Sequence, residues 1–499
     1  MTAIATDKLK FKYTDLLFNE IVNAGDTNHY YIGIGKSDQY DSANDTVINP
    51  TNTLLEEMNA RHNIQSIVKV DETAMSFIVP RNNWTSGAKY NGWNDKQVGY
   101  PTDFPYYVLT EDQQVYICIQ ASRGIDGNIN PSTVKPSYAS HPKIKQAHAF
   151  KTSDGYIWKF LYEVTATRSN LFLTSGFLPT QIGDSAGNTS QQDQAIVEKA
   201  TTKGQITGFE IIDGGAGYGS TPTVTITGNG TGAIATATRD PATNTISKIE
   251  MTCTLGDSGM GSGYTFARAA LSSVSETRTA IIRPIFGPLK GFGADARQDL
   301  KSSSVVFNAK PTGDVSGAFS VSTGEGVSYG GQADYRQITL LRNLDYVDSA
   351  ADGGRIVQAQ GRASRMIVTT NRGNELLKRN EKLTGANGTV VWIDQIDAIQ
   401  NKGADALAIH YHFNSRQDLK PGTFVNGEAL TGSPSGGTAN VDSDSQPGST
   451  ATVNKVSGTQ IGGLGAIDKY SGDILYIDNR TRIIRSSTQT EDIKIILSV

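Results

Sequence analysis

Short runs of β-branched and aromatic residues, each bounded by a turn cluster, recur through most of the chain and constrain its fold. In the first 180 residues these runs are HYYIGIG, SIVKV, MSFIVP, YYVL, QVYICIQ and DGYIWKFLYEV. Runs of this length and composition are typical of strands, and the Gly-, Asn- and Asp-rich clusters between them are typical of turns. Glycine supports the same interpretation, because 52 of the 499 residues are Gly, more than an average share. The sequence predicts a mainly β protein whose main domain is a β-sandwich.

One short helix is predicted ahead of the first strand. In YTDLLFNEIVNAG, Leu17, Ile21 and Ala24 share one face, and Gly25 is a suitable stop.

Charge and hydropathy exclude several classes of partner. The 45 basic and 49 acidic residues give a net charge of −4, which attracts neither nucleic acid nor an anionic membrane. No run approaches ~18 apolar residues, and the first residues lack a continuous apolar core, so neither a membrane span nor a signal peptide is predicted. Cys118 and Cys253 make no disulfide framework, which favours a reducing compartment, although one long-range bridge stays open.

Composition divides the chain into five segments. We expect residues 1–185 to form the first part of the main β domain, 186–278 an inserted β-repeat module, 279–378 the continuation of the main domain, 379–462 a second inserted β module, and 463–499 the C-terminal strands that complete the main domain. The polar stretch GDSAGNTSQQDQ, interpreted as a loop, marks the first boundary.

Each insert contains an internal echo. Gly217-Tyr218 matches Gly263-Tyr264 in the first insert, and Leu-Thr-Gly occurs in both NEKLTGANGTVVWI and NGEALTGSPSGGTANV in the second. Because both inserts are Gly-rich and weakly apolar, we expect them to lie outside the main core.

The last residues carry a strong strand signal. In EDIKIILSV, the apolar residues Ile493, Ile495, Leu497 and Val499 fall on one face, with Ile496 the exception on the other. Such alternation fixes the register of a strand. We expect this strand inside the main sheet, paired with strands from the N-terminal third.

Catalytic motifs are incomplete. Gly35-Lys36-Ser37 ends like a phosphate loop, but the Gly required five residues earlier is Tyr30. Residues 183–187 match GxSxG, yet Pro179 interrupts the preceding run and the surroundings read as all-β, so a polar linker is favoured over a hydrolase elbow. No pair of carboxylates stands out for sugar chemistry. No catalytic residue and no cofactor is predicted.

Two histidines are candidate metal ligands. His410 and His412 fall on one face of LAIHYHF, while Leu407, Ile409 and Tyr411 take the opposite, buried face. No third ligand stands out, so solvent-facing histidines are favoured and no metal is predicted, although the question stays open. The stretch beginning at residue 442 lacks the glutamate of a calcium loop.

Five stretches, taken together and in order, resemble a known family. They are YYIGIGKSDQYD, FIVPRNNW, DGYIWKFLYEV, DYRQITLLRNL and the C-terminal SGDILYIDNRTRIIRSSTQTEDIKIILSV. They are similar to the gene-product-eight baseplate wedge subunits of T-even-like contractile-tailed bacteriophages. The resemblance covers roughly 1–180, 280–375 and 465–499 and leaves both Gly-rich segments outside.

Particular residues carry the resemblance. The family motifs are matched at Gly35, Pro80, Arg81, Trp84, Asp154, Gly155, Tyr156, Trp158, Arg336, Gln337, Ile338, Ser471, Gly472, Tyr476, Asn479, Arg480, Gln489, Thr490 and Glu491. Two positions depart from the family pattern, namely Lys36 in place of Arg and Val79 in place of Ile.

The resemblance implies a mostly β structural subunit with no catalytic activity. Such a subunit forms a homodimer and assembles with other baseplate wedge proteins in the virion tail, after a period in the host cytoplasm during assembly. Neither nucleic acid nor membrane is an expected partner. The alternative is a tail-associated glycan-binding or glycan-cleaving protein, because the inserts resemble β-modules that decorate virions and Trp84, Trp93 and Trp158 are candidate glycan contacts.

Overall fold

The structure is a computed structural model of the chain. It describes residues 3–22, 28–36, 39–40, 44–101, 103–137, 148–253, 259–272, 275–311, 334–346, 360–362, 365–370, 373–399, 406–412, 424–425, 427–441, 467–484 and 491–498.

Strands dominate the described part of the chain, where 42% of residues are in strands and 14% in helices, so the prediction of a mainly β fold is confirmed. Within the described ranges the helices are α1 (Asp7–Val22), α2 (Leu54–Asn63), α3 (Ala166–Phe172), α4 (Thr189–Lys199) and α5 (Ala296–Asp299). The strands up to the first long gap are β1 (Tyr30–Gly35), β2 (Ile64–Val70), β3 (Met75–Pro80), β4 (Tyr107–Leu109), β5 (Gln114–Gln120), β6 (Phe150–Lys151), β7 (Ile157–Glu163), β8 (Phe177–Thr180), β9 (Ile206–Asp213), β10 (Thr223–Gly228), β11 (Thr231–Ala233), β12 (Ala235–Asp240), β13 (Thr245–Met251), β14 (Met260–Ser262), β15 (Ala267–Ser272), β16 (Ile281–Phe286) and β17 (Ser304–Ala309). The later strands are β18 (Asp334–Arg342), β19 (Asp345–Tyr346), β20 (Gln360–Arg362), β21 (Arg365–Val368), β22 (Lys382–Gly385), β23 (Val390–Ile399), β24 (Ala406–His412), β25 (Ala429–Ser433), β26 (Thr438–Asn440), β27 (Ile467–Asp468), β28 (Asp473–Ile484) and β29 (Ile493–Ser498).

The predicted N-terminal helix is confirmed, and it begins earlier than the sequence indicates, at Asp7. Ile21 is buried on the predicted face. The polar stretch before the first insert was predicted as a loop, and this is wrong for α4. Asn188 and Gln191 form a capping box there, in which the side-chain oxygen of each accepts a hydrogen bond from the backbone N–H of the other, so a polar segment starts a helix.

The chain divides into two compact units. The first unit contains residues Met1–Phe18, Ser76–Val306 and Ile496–Val499, and the second contains Asn19–Met75 and Phe307–Ile495. The five predicted segments group the chain differently, because β1 and β2 pair with strands of the later part of the chain instead of with β3. The five-segment division stays a prediction.

In the first unit, the sheet β4-β5-β7-β6 shares one hydrophobic core with β3 and β8. Val79 and Leu178 from β3 and β8 belong to the same buried cluster as Ile117 and Leu161 from β5 and β7. Two antiparallel sheets that enclose one core are what a β-sandwich requires.

The first insert forms a series of nested antiparallel pairs: β9 with β16, β10 with β15, β11 with β14, and β12 with β13. The sequence echo has a structural counterpart. Gly217 and Gly263 both have positive φ angles, of 74° and 78°, and Tyr218 and Tyr264 after them are both buried. Glycine is required at such a turn because it adopts positive φ without steric cost.

The expectation that this insert lies outside the main core is wrong. Met251, Met260 and Tyr264 of the insert belong to the same buried cluster as Ile117 and Phe292. The composition of the insert misleads because its few large apolar residues point into the common core, while its many glycines occupy turns.

In the second unit, five antiparallel strands form a sheet in the order β20-β2-β1-β18-β28. Its core contains Tyr31, Ile64, Ile67, Leu341 and Leu344. Among the described strands, β28 has a neighbour on one side only, so this twelve-residue strand is an edge strand.

A second sheet of this unit, β21-β24-β23-β22-β25-β26, contains the Leu-Thr-Gly echo. The two copies are adjacent antiparallel strands, with Leu383 opposite Gly432 and Gly385 opposite Leu430. The sheet has its own core, which includes Leu383, Leu430 and Tyr411.

Two buried glutamates connect the copies reciprocally. Glu381, which precedes β22, accepts hydrogen bonds from the backbone N–H (3.1 Å) and hydroxyl (2.8 Å) of Ser435, which follows β25. Glu428, which precedes β25, accepts a hydrogen bond of 2.9 Å from the backbone N–H of Asn387, which follows β22. Each repeat therefore closes the turn of the other repeat.

The C-terminal strand β29 is an edge strand in the sheet order β29-β17-β3-β8. Ile493 and Ile495 are buried, as the alternation predicts. The predicted partner is wrong, because β29 pairs with β17 and not with a strand of the N-terminal third. The reason is topological: β3 already has β17 and β8 as neighbours, and β1 and β2 belong to another sheet, so β17 offers the available edge.

None of the helices in the described ranges has the length and hydropathy needed to cross a bilayer. No disulfide joins Cys118, which is buried, to Cys253.

Candidate functional site

The motif residues of the resemblance fall into two groups, one in each unit. The second unit contains Gly35, Arg336, Tyr476, Asn479 and Arg480. The first unit contains Pro80, Arg81, Trp84, Asp154, Gly155 and Trp158.

Strand pairing brings the motif residues of the second unit together. Gly35 on β1 lies opposite Gln337 on β18, and Gln337 lies opposite Asn479 on β28. The side-chain amide of Gln337 donates a hydrogen bond of 2.7 Å to Oδ1 of Asn479. Only glycine fits at position 35, because a Cβ there would lie 1.9 Å from the carbonyl oxygen of Asn63.

Arg336 is a buried cation with a carboxylate partner. Its side chain is 2% exposed, and its guanidinium donates to Asp45 at 2.8 Å from Nε and 2.7 Å from a terminal nitrogen. The hydrogen bond from Arg336 lowers the pKa of Asp45. The hydroxyl of Tyr40 lies 2.8 Å from the carbonyl oxygen of Arg336 and 2.9 Å from that of Arg480, so one tyrosine contacts both β18 and β28. Burial raises the pKa of Tyr40 to about 12.

The remaining motif residues of this group lie on β28. Nδ2 of Asn479 donates to the carbonyl oxygen of Ile48 at 2.8 Å. Arg480 forms an ion pair of 2.7 Å with Asp478 and is partly exposed. Burial raises the pKa of the half-buried Tyr476. Together these contacts hold Tyr40, Asp45 and Ile48 against β18 and β28, which is a conformational role.

A cavity of about 660 Å³ opens beside this network. Its lining includes Lys36, Tyr40, Gln337, Asn479 and His62. It is therefore a polar cavity, with motif residues on one side and a histidine of α2 on another.

A buried cluster of ionisable side chains adjoins the cavity through His62. Oδ1 of Asp394 lies 2.6 Å from Nδ1 of His412, and Oδ2 accepts a hydrogen bond of 2.8 Å from the ammonium of Lys469. Nε2 of His62 lies 3.9 Å from Oδ1 of the same carboxylate, and its Nδ1 lies 3.3 Å from the hydroxyl of Tyr470. We call these four residues, His62, Asp394, His412 and Lys469, the His–Asp–Lys cluster.

The charges of the cluster follow from burial and from its members. Burial by itself raises the pKa of Asp394, but His412 and Lys469 lower it by more, so the carboxylate stays ionised. Burial lowers the pKa of His62 to about 4, against the opposing effects of the Asp394 carboxylate and the Asn380 side chain. His62 is therefore neutral at neutral pH and offers a lone pair.

The prediction of solvent-facing histidines is wrong for His412, which is 5% exposed. The side chain of His410 lies outside the described residues. Leu407, Ile409 and Tyr411 are buried as predicted, so β24 is covered on one face by apolar core and has the His–Asp–Lys cluster at His412 on the other. No pattern in the sequence indicates His62 as a neighbour of His412, because His62 lies on a helix more than 300 residues upstream.

In the first unit, Asp154 is the centre of a hydrogen-bond network. Its Oδ2 accepts from the backbone N–H groups of Thr133 (2.8 Å) and Val134 (3.0 Å) and from the Ser132 hydroxyl (3.1 Å). Its Oδ1 accepts a hydrogen bond of 2.5 Å from the Thr152 hydroxyl. Burial raises the pKa of Asp154, and these hydrogen bonds lower it by more, so the net pKa is lowered.

The network extends to the other motif residues. Nε1 of Trp84 donates to the Ser132 hydroxyl at 3.1 Å, which links Trp84 to Asp154. Arg81 donates to the carbonyl oxygen of Thr174 at 2.9 Å, and the carbonyl oxygen of Pro80 accepts from a tyrosine hydroxyl.

Trp158 and Gly155 complete this group. Trp158 is fully buried and its ring stacks on that of Tyr156 at 5.6 Å. Gly155 has a φ of 92°, and a Cβ at this position would lie 2.7 Å from the hydroxyl oxygen of Ser122. Both residues are therefore needed for packing. Trp158 is a core residue, and Trp84 is partly buried against the same cluster, so the two do not form an open aromatic surface.

The other sequence motifs show no catalytic geometry where they are described. Residues 183–187 form a loop between β8 and α4, and Ser185 is exposed without the strained backbone of a hydrolase elbow. Ser37 and the stretch from residue 442 lie outside the described residues.

Comparison of the chain with protein-family models gives no match, and comparison with curated proteins gives none. The resemblance to baseplate wedge subunits therefore stays a prediction from the motifs.

Proposed function

We propose that this chain is a structural subunit of the wedge of a contractile phage tail baseplate and acts by protein–protein assembly. The observation that carries the proposal is the convergence of the motif residues. Residues as distant as Gly35, Gln337 and Asn479 become direct neighbours, and Trp84 and Asp154 share a hydrogen-bonded serine. Their roles are packing and loop anchoring, which suits a subunit that must present fixed surfaces.

Strand β28 supports self-association as a homodimer. It carries Tyr476, Asn479 and Arg480, and it is an edge strand among the described strands. Leu475 and Ile484 on it are 47% and 60% exposed. An edge strand with exposed apolar residues is a template for pairing with another chain.

The charges of β28 suit pairing with a second copy of itself. Asp478 and Arg480 lie on either side of Asn479, and both side chains are partly exposed. In an antiparallel pair with Asn479 opposite itself at the two-fold axis, Asp478 of one copy faces Arg480 of the second copy on the same face of the sheet. Opposite charges directly across an antiparallel pair are favourable, and a two-fold axis satisfies both contacts at once.

Sedimentation of the purified chain tests this arrangement. At micromolar concentration the wild type should have about twice the chain mass of 53.4 kDa. Asp478→Lys should give monomers, because it sets two cations opposite each other. Asp478→Lys combined with Arg480→Glu should restore the dimer. Asp103→Lys, at an exposed site of the first unit, is the charge-matched control and should remain dimeric.

A monomeric wild type would contradict the dimer and weaken the assembly role. A dimer that survives Asp478→Lys would place the interface elsewhere and leave the assembly role standing. The baseplate assignment has its own test, a density map of purified tails together with their peptide composition. Tails that lack the chain would refute the assignment.

A second candidate function, glycan binding, has one observation in its favour. A cavity of about 470 Å³ in the first unit is lined by Trp93 and by polar side chains such as Asn91, Asn94 and Gln120. One carboxylate, Glu210, lies in its lining, and Lys96 and Arg283 pair with it at 2.8 Å and 2.7 Å. This favours binding over cleavage, which needs two carboxylates. Saturable binding of host capsule or lipopolysaccharide that Trp93→Ala abolishes would support this function, and no binding would exclude it.

A further inference from the structure

The His–Asp–Lys cluster contains three metal-ligating side chains from three separate elements of the second unit. His62 lies on α2, Asp394 on β23 and His412 on β24. One ligand atom from each lies within 4.8 Å of the other two. We propose that this cluster binds a divalent transition-metal ion of the zinc type through two imidazole nitrogens and one carboxylate oxygen. Nitrogen and carboxylate ligands in this combination suit zinc and its neighbours more than calcium or magnesium.

The distances leave little to rearrange. Nδ1 of His412 lies 2.6 Å from Oδ1 of Asp394, and Nε2 of His62 lies 3.9 Å from the same oxygen. Bonds of about 2.0–2.1 Å at tetrahedral angles set ligand atoms about 3.3 Å apart. To bind one ion, Nδ1 of His412 and Oδ1 of Asp394 must move apart, and Nε2 of His62 and Oδ1 of Asp394 must move closer, each by less than about 1 Å. The ligand atoms of His62 and His412 lie within 4.8 Å of each other.

His62 provides an independent reason to expect a ligand. Its Nε2 is buried, and among the described residues no donor or acceptor meets it with hydrogen-bonding geometry. Buried polar atoms are normally paired, so an unpaired one calls for an explanation. A cation between His62 and Asp394 would give this nitrogen its partner.

The cavity provides the route of entry. His62 lines the cavity of about 660 Å³, together with polar side chains that include Lys36, Asn63 and Gln337. A hydrated ion can approach His62 from there. Three protein ligands leave a fourth position of a tetrahedral ion for water or for a group that enters the cavity.

Lys469 distinguishes a metal site from an ordinary ion-pair network. Its side chain is 0% exposed, and its ammonium lies 2.8 Å from Oδ2 of Asp394. The ammonium therefore neutralises the carboxylate that the metal would also use. Lys469→Met should strengthen metal binding, because it removes a competing positive charge and leaves the carboxylate in need of a cation.

Cobalt provides a spectroscopic probe of the site. The full chain, without a histidine tag, is treated with a chelator, dialysed and titrated with Co²⁺. We expect one equivalent to bind with a visible ligand-field absorption that Zn²⁺ abolishes by displacement. His62→Gln and Asp394→Asn each remove a direct ligand and should weaken Co²⁺ binding by more than the roughly 10–100-fold typical of losing a group that only supports a ligand, and Lys469→Met should tighten it. His148→Gln, an exposed histidine of the first unit, is the control and should change nothing.

Three results would overturn the proposal: no absorption in the wild type, the same affinity in His62→Gln and Asp394→Asn, or an equal loss in His148→Gln. Circular dichroism shows whether each variant is folded. Where a variant fails to fold, the wild type decides through its thermal unfolding with and without Zn²⁺. A rise in the midpoint that a chelator reverses supports the site, and an unchanged midpoint contradicts it.

Discussion

Replacing Asp154 with asparagine and with alanine should separate the charge of this side chain from its hydrogen bonds. The carboxylate accepts four hydrogen bonds within 3.1 Å, two from successive backbone N–H groups and two from hydroxyls. Ser132 is fully buried, Val134 is half-buried and Thr133 is exposed, so water can replace only part of what is lost.

The two substitutions should differ in size. Hydrogen bonds to a charged group contribute roughly 1.5–3 kcal/mol each when buried, and less where water competes. Asp154→Ala removes all four acceptor contacts, and we expect it to lower the free energy of unfolding by about 3–5 kcal/mol. Asp154→Asn keeps an oxygen for the backbone N–H groups and loses the charge, and we expect a loss of about 1–2 kcal/mol.

The dependence on pH has a definite sign. The pKa of Asp154 is lowered in the folded protein relative to its ordinary value of 3.8. Its stabilising effect is therefore fully present above that value and is lost as the pH falls below it. The difference between the wild type and Asp154→Asn should shrink once the pH drops below about 4.

Urea denaturation followed by tryptophan fluorescence measures both effects. Trp84, Trp93 and Trp158 lie in the first unit and Trp392 in the second, so the signal reports mainly on the unit that contains Asp154. Asp103→Asn, an exposed carboxylate of the same unit, is the control and should leave the midpoint unchanged. Equal losses for asparagine and alanine, or a difference that does not depend on pH, would refute the reasoning.

Two further predictions concern other parts of the chain. Ending the chain after Glu491 removes the buried Ile493 and Ile495 and with them at most about 3–6 kcal/mol of hydrophobic stabilisation. The truncated chain should therefore be insoluble. A soluble product with the wild-type thermal transition would show that β29 is dispensable. Gly385→Ala places a Cβ 2.2 Å from Oε1 of Glu428 and should lower the thermal midpoint; an unchanged midpoint would show that the glutamate moves away without cost.

The sequence predicts strands well wherever aromatic and β-branched residues are concentrated. β1, β3, β5 and β7 all coincide with the runs recognised at the outset. The helix α4 is not predicted from the sequence because its start is marked by polar residues, and a capping box is easily mistaken for a loop. The apolar residues of the first insert were also misjudged, since an average over a Gly-rich segment hides a few large side chains that reach the main core.

The candidate site was predictable only in part. Alternation selects the buried face of β24 correctly, but it assigns the opposite face to solvent by default. That default fails at His412, because Asp394 and Lys469 cover it with charge instead of apolar surface. Such partners come from tertiary structure, and no local pattern around His412 indicates them.

The reciprocal glutamates of the second insert determine which part of it can be transferred to another protein. Gly385 and Gly432 each make room for a carboxylate that belongs to the other repeat. A Cβ at position 385 would lie 2.2 Å from Oε1 of Glu428, and a Cβ at position 432 would lie 2.6 Å from Oε1 of Glu381. In a single copy the buried carboxylate would keep the backbone donor of its own repeat, Lys378 or Val425, but would lose the donors from the other repeat, and the glycine gap would have no occupant. The smallest unit that can be transferred to another protein with these contacts intact is therefore the pair of hairpins. A graft or a natural transfer of one hairpin alone would give an incomplete structure.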